Sequence, residues 1–146
     1  MVGLPRSRQS HDFQRSLPEL LLILCKSLQS EYSVQFDVHF QSGLELFDYS
    51  PEAAGLLKTA LEQAAMVAMP DTTIEIAIHS TRRGTEIEVV ASTSDIRTES
   101  LRAFSREKAI VGRGQTVSLY RARCPDGSLA WIIVQANSAR LRRPAS

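Results

Sequence analysis

Two stretches of the chain place apolar residues at helical spacing. The first has four leucines on one helical face, the adjacent pair Leu20 and Leu21 followed by Leu24 and Leu28. This spacing predicts an amphipathic helix. Ser16 and Glu19 form the sequence of a capping box, so the helix is expected to begin there and to run to about Ser30.

The second helical stretch begins at Ser50-Pro51, where serine suits the N-cap and proline suits the first helical position. Its apolar face is narrow and rich in alanine: Leu57, Leu61, Ala64, Ala65 and Ala68. Pro70-Asp71 ends it. The alanines favour close packing against a sheet, so Leu57 and Leu61 are expected to face Ile76 and Ile87.

Alternating apolar and polar residues predict strands in the intervening segments. Val34 to Phe40 alternates along its length, and Leu44 and Leu46 repeat the alternation, which predicts two strands. Alternation from Ile74 to Ile78, a turn at Thr81-Arg82-Arg83-Gly84 and alternation at Ile87 and Val89 predict a hairpin. Its outer face would carry Glu75, His79, Glu86 and Glu88.

The last third of the chain has weaker periodicity and one strong turn. Residues 92–114 predict an irregular segment, with a short helix around Glu99 to Phe104. Pro125-Asp126-Gly127 is a turn sequence between Thr116–Cys124 and Ser128–Gln135. We therefore predict a second hairpin from Thr116 to Gln135.

Length and composition indicate one globular domain. The chain has 146 residues, of which 43% are hydrophobic and 23% charged. No apolar run approaches the ~18 residues of a membrane span, and the N-terminus lacks the apolar stretch of a signal peptide. We therefore expect a cytoplasmic protein with a flexible segment at 1–15, a domain at 16–137 and a basic tail at 138–146.

Charge is distributed unevenly, although the formal net charge is only +1. Residues 1–30 carry four basic and two acidic side chains, residues 31–111 carry seven and thirteen, and residues 112–146 carry six and one, giving +2, −6 and +5. Cys25 and Cys124 are far apart and predict two buried thiols. The three histidines lack ligand-like spacing, so no metal site is predicted.

The order helix, strands, long helix, hairpin, irregular loop, glycine pair and terminal strands resembles the ATP-binding catalytic domain of sensor histidine kinases (the GHKL or HATPase fold, shared with gyrase). The resemblance covers residues 17–144 by pattern and spacing. It implies a two-layer α/β sandwich, with a mixed sheet covered on one face by two main helices. Residues 50–70 match the family's nucleotide-facing helix without a gap.

Several residues that carry nucleotide chemistry in that family are missing. Ala64 stands where the family has the asparagine that coordinates Mg²⁺, with Ala60 one turn before it. A methyl group cannot ligate a cation that demands oxygen donors. Ala91 stands where the family has the aspartate that accepts a hydrogen bond from adenine, and Thr93 and Asp95 replace its two glycines.

One fragment of the phosphate loop survives as Gly112-Arg113-Gly114, the only candidate cofactor-binding residues if a nucleotide binds. In the family a helix begins at these glycines and donates backbone N–H groups to phosphate. Here Gln115-Thr116 follows, and the β-branched pair Thr116-Val117 favours a strand.

The remaining candidates favour structural interpretations. His11 resembles the family's phosphoacceptor histidine only faintly and is interpreted as part of a flexible tail. Glu62 could be a general base, but a solvated helix-face glutamate is the better interpretation because no Mg²⁺ ligand lies nearby. His39 and His79 fall on solvent-facing strand positions. The sequence therefore predicts no catalytic and no metal-ligating residue.

These absences favour a catalytically degenerate histidine-kinase-like domain that binds a protein partner or regulates in bacterial-type signalling, without a cofactor. The alternative is an enzyme: a divergent ATP-binding kinase, or an anti-sigma-like protein, that binds ATP and Mg²⁺ through other positions. Nucleic-acid binding by the basic C-terminus has less support, because aromatic interleaving is missing. A homodimer stays open.

Overall fold

The computed structural model describes residues 15–93, 107–111 and 115–136. The first helix, α1, spans Leu17–Gln29 and begins with the predicted capping box. The Ser16 hydroxyl accepts a hydrogen bond from the Glu19 backbone N–H (3.3 Å), and the Glu19 carboxylate accepts one from the Ser16 N–H (3.2 Å). Two N–H groups that a helix end leaves without partners are thereby satisfied.

The second helix, α2, spans Pro51–Val67 with Ser50 as its N-cap. The Ser50 hydroxyl accepts a hydrogen bond from the Ala53 N–H at 3.0 Å. The backbone becomes extended at Ala68, two residues before Pro70, so the helix ends close to the position that the sequence predicts. Both helices were therefore predictable from local capping and spacing.

Six strands form one mixed sheet. They are β1 (Val34–Phe40), β2 (Thr72–Thr81), β3 (Gly84–Ala91), β4 (Glu107–Val111), β5 (Gln115–Arg123) and β6 (Leu129–Ala136). The strand order is β1-β2-β3-β6-β5-β4. β1 and β2 are parallel and every other neighbouring pair is antiparallel. This is the two-layer α/β sandwich expected from the resemblance.

The core lies between the helices and one face of the sheet. Leu57 and Leu61 of α2 are fully buried, as are Ile76 and Ile87 on the helix-covered face. The registers Ile76↔Val89 and Ile78↔Ile87 place these residues on that same face. The face of α2 that carries Leu57 and Leu61 is therefore buried as predicted, and α2 contacts β3, β5 and β6 of the sheet. The other face of the sheet, here called the open face, carries Asp37, Glu75, His79, Glu86 and Glu88 among its side chains.

Both predicted hairpins are present. β2 and β3 meet at the turn before Gly84, and β5 pairs with β6 in the register Val117↔Gln135 to Arg123↔Leu129. In the second turn, the Ser128 hydroxyl and N–H donate to the Asp126 carboxylate at 2.7 and 3.0 Å. These two hydrogen bonds lower the pKa of Asp126.

Two predictions of secondary structure are wrong. The strand predicted at Leu44 and Leu46 is a short 3-10 helix, Leu44–Leu46, which follows Gly43 with φ at +89°. Leu46 is 87% exposed, so its alternation does not reflect burial. The segment predicted as irregular contains β4, which pairs with β5. A five-residue strand is too short for its periodicity to predict this pairing.

Several predictions fall outside the described residues. These are the tail histidine His11, the short helix at 99–104, the substitution Asp95, the glycine pair Gly112-Arg113-Gly114 and the basic tail at 138–146. The domain boundaries stay predictions. In the part of the chain that is described, no helix combines the length and apolarity needed to cross a bilayer.

Candidate functional site

The start of α2 is fixed to the sheet by one buried glutamine. The Gln135 side-chain oxygen of β6 accepts a hydrogen bond from the Ser50 N–H at 2.9 Å, and its amide nitrogen donates to the Asp48 carbonyl at 3.1 Å. Gln135 is only 5% exposed. These bonds join residues that are more than eighty positions apart in sequence. They connect the start of α2 directly to β6.

The positions that the sequence resemblance assigns to the Mg²⁺ site are methyl groups inside the core. Ala60 and Ala64 are fully buried in the apolar cluster beneath α2. Neither side chain offers an oxygen, and burial leaves no hydrated path for a water-coordinated cation at their Cβ atoms. Among the described residues, no group of three or more histidine, cysteine, aspartate or glutamate side chains could hold a metal.

The position that the resemblance assigns to the adenine-binding aspartate is also a buried methyl. Ala91, the last residue of β3, is fully buried and pairs with Leu129 of β6. The next residues connect to the end of α2: the Met69 N–H donates to the Ser92 carbonyl at 2.9 Å, and Ala68 forms an isolated bridge with Thr93. The Thr93 hydroxyl is buried and has no hydrogen-bond partner in the described part of the chain.

A polar contact that sequence reasoning missed joins α2 to two strands. The Gln63 side-chain oxygen accepts from the Trp131 indole N–H at 2.9 Å and from the Arg121 guanidinium at 3.2 Å. Trp131 is fully buried. The sequence could not show this contact, because the two partners of Gln63 lie 58 and 68 residues further along the chain.

The chain after the glycine pair is a strand. β5 begins at Gln115 and continues to Arg123, paired on both sides by β4 and β6. A strand has no cluster of unsatisfied N–H groups at its start and almost no net dipole. Residues 115–123 therefore do not supply the helix N-terminus that holds phosphate in the family, and the predicted hairpin is confirmed.

The other sequence candidates are separated from this region. Glu62 is exposed on α2, as the solvated interpretation predicted. His39 lies on the open face, 3.0 Å from Asp37, with 64% of its side chain exposed. Cys25 is buried as predicted, and burial raises its pKa to about 11. Cys124 is only half-buried, so the prediction of a second buried thiol is wrong, and neither cysteine forms a disulfide.

His79 is less isolated than the sequence suggested. Its Nε2 lies 3.5 Å from Glu86, a carboxylate with 11% side-chain exposure on the open face. Glu86 also accepts hydrogen bonds from Arg83 (2.9 and 3.2 Å) and from the Thr81 hydroxyl (3.0 Å). The Arg83 guanidinium lies 5.3 Å from the centre of the Tyr120 ring. These neighbours supply hydrogen bonds to the Glu86 carboxylate, which offset the cost of burying it.

Neither a family model nor a curated protein matches the sequence. Solved structures do match the fold. The mycobacterial sensor histidine kinase MprB has a TM-score of 0.53 and 11% identity, over 84% of this chain and 96% of that one. The catalytic domain of histidine kinase ThkA has a TM-score of 0.55 and 9% identity, over 84% and 93%. The cytoplasmic segment of histidine kinase QseC gives 0.50 and 10%, over 82% and 70%.

The described architecture is therefore a two-layer α/β sandwich. Its fold is similar to that of histidine kinase catalytic domains, and the likeness extends over most of the chain. At 9–11% identity this likeness establishes the fold, while the activity depends on the residues described above.

Proposed function

We propose that this domain is a catalytically degenerate relative of the histidine kinase catalytic domain, and that it acts as a protein-interaction or regulatory module in bacterial-type signalling. The observation that carries the proposal is β5. A strand occupies residues 115–123, where the resemblance places the start of the helix whose N–H groups hold the triphosphate. Residues 115–123 therefore supply no helix N-terminus for a triphosphate.

The side chains beneath α2 support the same proposal. A triphosphate with its cation needs oxygen ligands and hydrogen-bond donors at fixed positions. Ala64 and Ala91 offer neither, and both are fully buried. Each substitution removes one interaction, and together they leave the adenine and the cation without their usual partners.

The remaining role for this domain is to bind a partner through its surface. The loops that contact nucleotide in the family are then available for a protein partner. A second copy of the chain, in a homodimer, is the alternative within the same class of function. In either case the sandwich serves as a rigid support for the surface that binds.

A nucleotide titration tests the proposal. Thermal unfolding is measured with increasing ATP at constant excess Mg²⁺, with MgCl₂ alone and the Mg²⁺ salt of inorganic triphosphate as controls. A ligand at 100 times its dissociation constant stabilises a protein by ~2.7 kcal/mol, so a binding domain would show a clear, saturable rise in melting temperature. We expect no saturable change, and a saturable rise specific to Mg-ATP would contradict the proposal.

One observation favours the rival, a divergent ATP-binding enzyme. The Thr93 hydroxyl is buried without a hydrogen-bond partner among the described residues, and it stands at a position that faces nucleotide in the family. A ligand could supply that partner. If Mg-ATP does bind, Thr93→Val should weaken binding, whereas Thr72→Val, which changes a hydroxyl bonded to the Met69 carbonyl (2.6 Å), should leave binding unchanged.

A further inference from the structure

A groove separates α1 from β1 at the edge of the sheet. It has a volume of about 370 Å³ and an apolar lining from both elements: Leu21, Leu22, Cys25, Phe36, Val38 and Phe40. The three β1 side chains are only half-buried, although they point to the helix-covered face. α1 therefore covers β1 incompletely, and apolar surface remains accessible beneath it.

β1 is also an edge strand. It lies at the end of the sheet and pairs only with β2 among the described strands. Its seven residues include no proline and no lysine, and Asp37, on the open face, is the acidic residue among them. An edge strand beside an apolar groove is the geometry of β-strand addition, in which backbone hydrogen bonds supply affinity and the groove accepts alternate side chains.

Charge distinguishes the two sides of such an added strand. On the open face, Asp37 lies directly opposite Glu75 in the parallel register, and both are exposed. Two carboxylates in that position repel each other, so a cation beside them is favourable. His39, 3.0 Å from Asp37, is the titratable neighbour on the same strand.

On the groove side the lining includes one ionisable cation, Lys26 at the rim. Its aliphatic stem adds apolar surface, and its ammonium disfavours a second cation there. The two sides together select a register, with apolar side chains toward the groove and cationic side chains toward the open face.

We infer that the α1–β1 edge binds an extended peptide in which apolar residues alternate with arginine or lysine. This inference names a partner class for the interaction role proposed above and rests on that role. The groove involves neither α2 nor the strands beneath it. Its occupancy is therefore separable from nucleotide binding, and the Mg-ATP titration tests the degeneracy without testing the peptide.

The test uses the full chain and a fluorescein-labelled, end-blocked peptide of seven residues that alternate arginine and valine. Fluorescence anisotropy should show saturable binding below about 1 mM, the range of a weak specific contact. A peptide that alternates glutamate and valine should bind at least about tenfold more weakly, since the open face would repel it. The arginine peptide with N-methylated backbone amides should also lose binding, because it cannot donate to the edge.

Two substitutions on α1 form a matched pair. Leu22 lines the groove and is 61% exposed, whereas its neighbour Ile23 is 46% exposed and lies outside the lining. Because both are surface positions, Leu22→Glu and Ile23→Glu should leave folding nearly unchanged. Leu22→Glu should weaken the peptide by about tenfold or more, the scale of one lost apolar side-chain contact, and Ile23→Glu should not.

Three outcomes would overturn the inference. One is the absence of saturable binding of the arginine–valine peptide. Another is equal binding of its N-methylated form, which would show that the β1 edge does not pair. The third is a concentration-dependent dimer, seen by sedimentation and abolished by Leu22→Glu, which would assign the groove to a second copy of the chain.

Discussion

Replacement of Gln63 by leucine tests the polar contact that joins α2 to the sheet. Leucine keeps a similar volume but offers no acceptor, so the fully buried Trp131 indole N–H loses its 2.9 Å partner. A buried donor left without a partner costs about 1–3 kcal/mol. Arg121 also loses its 3.2 Å acceptor on Gln63, although it is half-buried and has a further interaction. We expect Gln63→Leu to lower the free energy of unfolding by about 1–3 kcal/mol.

The chain provides its own reporter for this experiment. Trp131 is the only tryptophan, so its fluorescence follows the perturbed site directly during urea unfolding. With an intermediate urea slope of about 2 kcal/mol per molar, the midpoint should fall by roughly 0.5–1.5 M. The native emission spectrum should also change, because the indole loses its hydrogen bond.

Glu62→Leu is the matched control, since it introduces the same residue one position earlier on an exposed side of α2. It should change stability by no more than about 0.5 kcal/mol. Equal losses in the two variants, or a Gln63→Leu loss within about 0.5 kcal/mol, would show that the glutamine does not hold the indole N–H.

Three other predictions concern packing and the buried thiol. Leu61→Ala should cost about 2–5 kcal/mol in urea unfolding because Leu61 is fully buried, and a loss below about 0.5 kcal/mol would show that α2 is oriented wrongly. Gly84→Ala should destabilise by more than about 1 kcal/mol, because the new Cβ would lie 2.2 Å from the Gln135 carbonyl oxygen at φ +140°. Gly55→Ala, in open space on α2, should instead stabilise by about 0.5–1 kcal/mol, and similar effects of the two substitutions would contradict this account. Burial raises the Cys25 pKa from 9.0 to about 11, so the neutral thiol's advantage is complete below pH 9 and is lost as pH rises through 11. The stability difference between the native chain and Cys25→Ala should therefore shrink over that range, and a constant difference would refute the assignment.

The elements that sequence predicted well are those whose signals are local. Ser16 and Glu19 lie within one turn, and Ser50-Pro51 contains its own start signal, so both helix starts could be assigned without tertiary information. The same holds for the Pro125-Asp126-Gly127 turn, whose side-chain hydrogen bonds stay within two residues. Alternation also predicted which side chains of β1, β2 and β3 are buried, because each of these strands buries one of its two sides.

The features that sequence missed depend on partners far along the chain. β4 is a strand because β5 lies beside it, and the five residues of β4 carry too little periodicity to show this. In the sequence Gln63 resembles any polar helix residue, because its partner Trp131 lies on β6, far along the chain. At Leu44–Leu46, one polar residue between two leucines fits a strand and a single helical turn equally well.

The substitutions beneath α2 depend on one another physically. Ala60 and Ala64 of α2 and Ala91 of β3 are all fully buried in the same apolar cluster, so both layers contribute small side chains to it. An asparagine placed at 64 alone would put an amide into an apolar, filled interface, at a cost of about 1–3 kcal/mol for each polar group left without a partner. It would also add volume beside Gln63, which already fixes Trp131. We therefore expect that one restored ligand would not create a cation site, because its amide would need polar partners that the buried methyl groups of Ala60 and Ala91 do not offer.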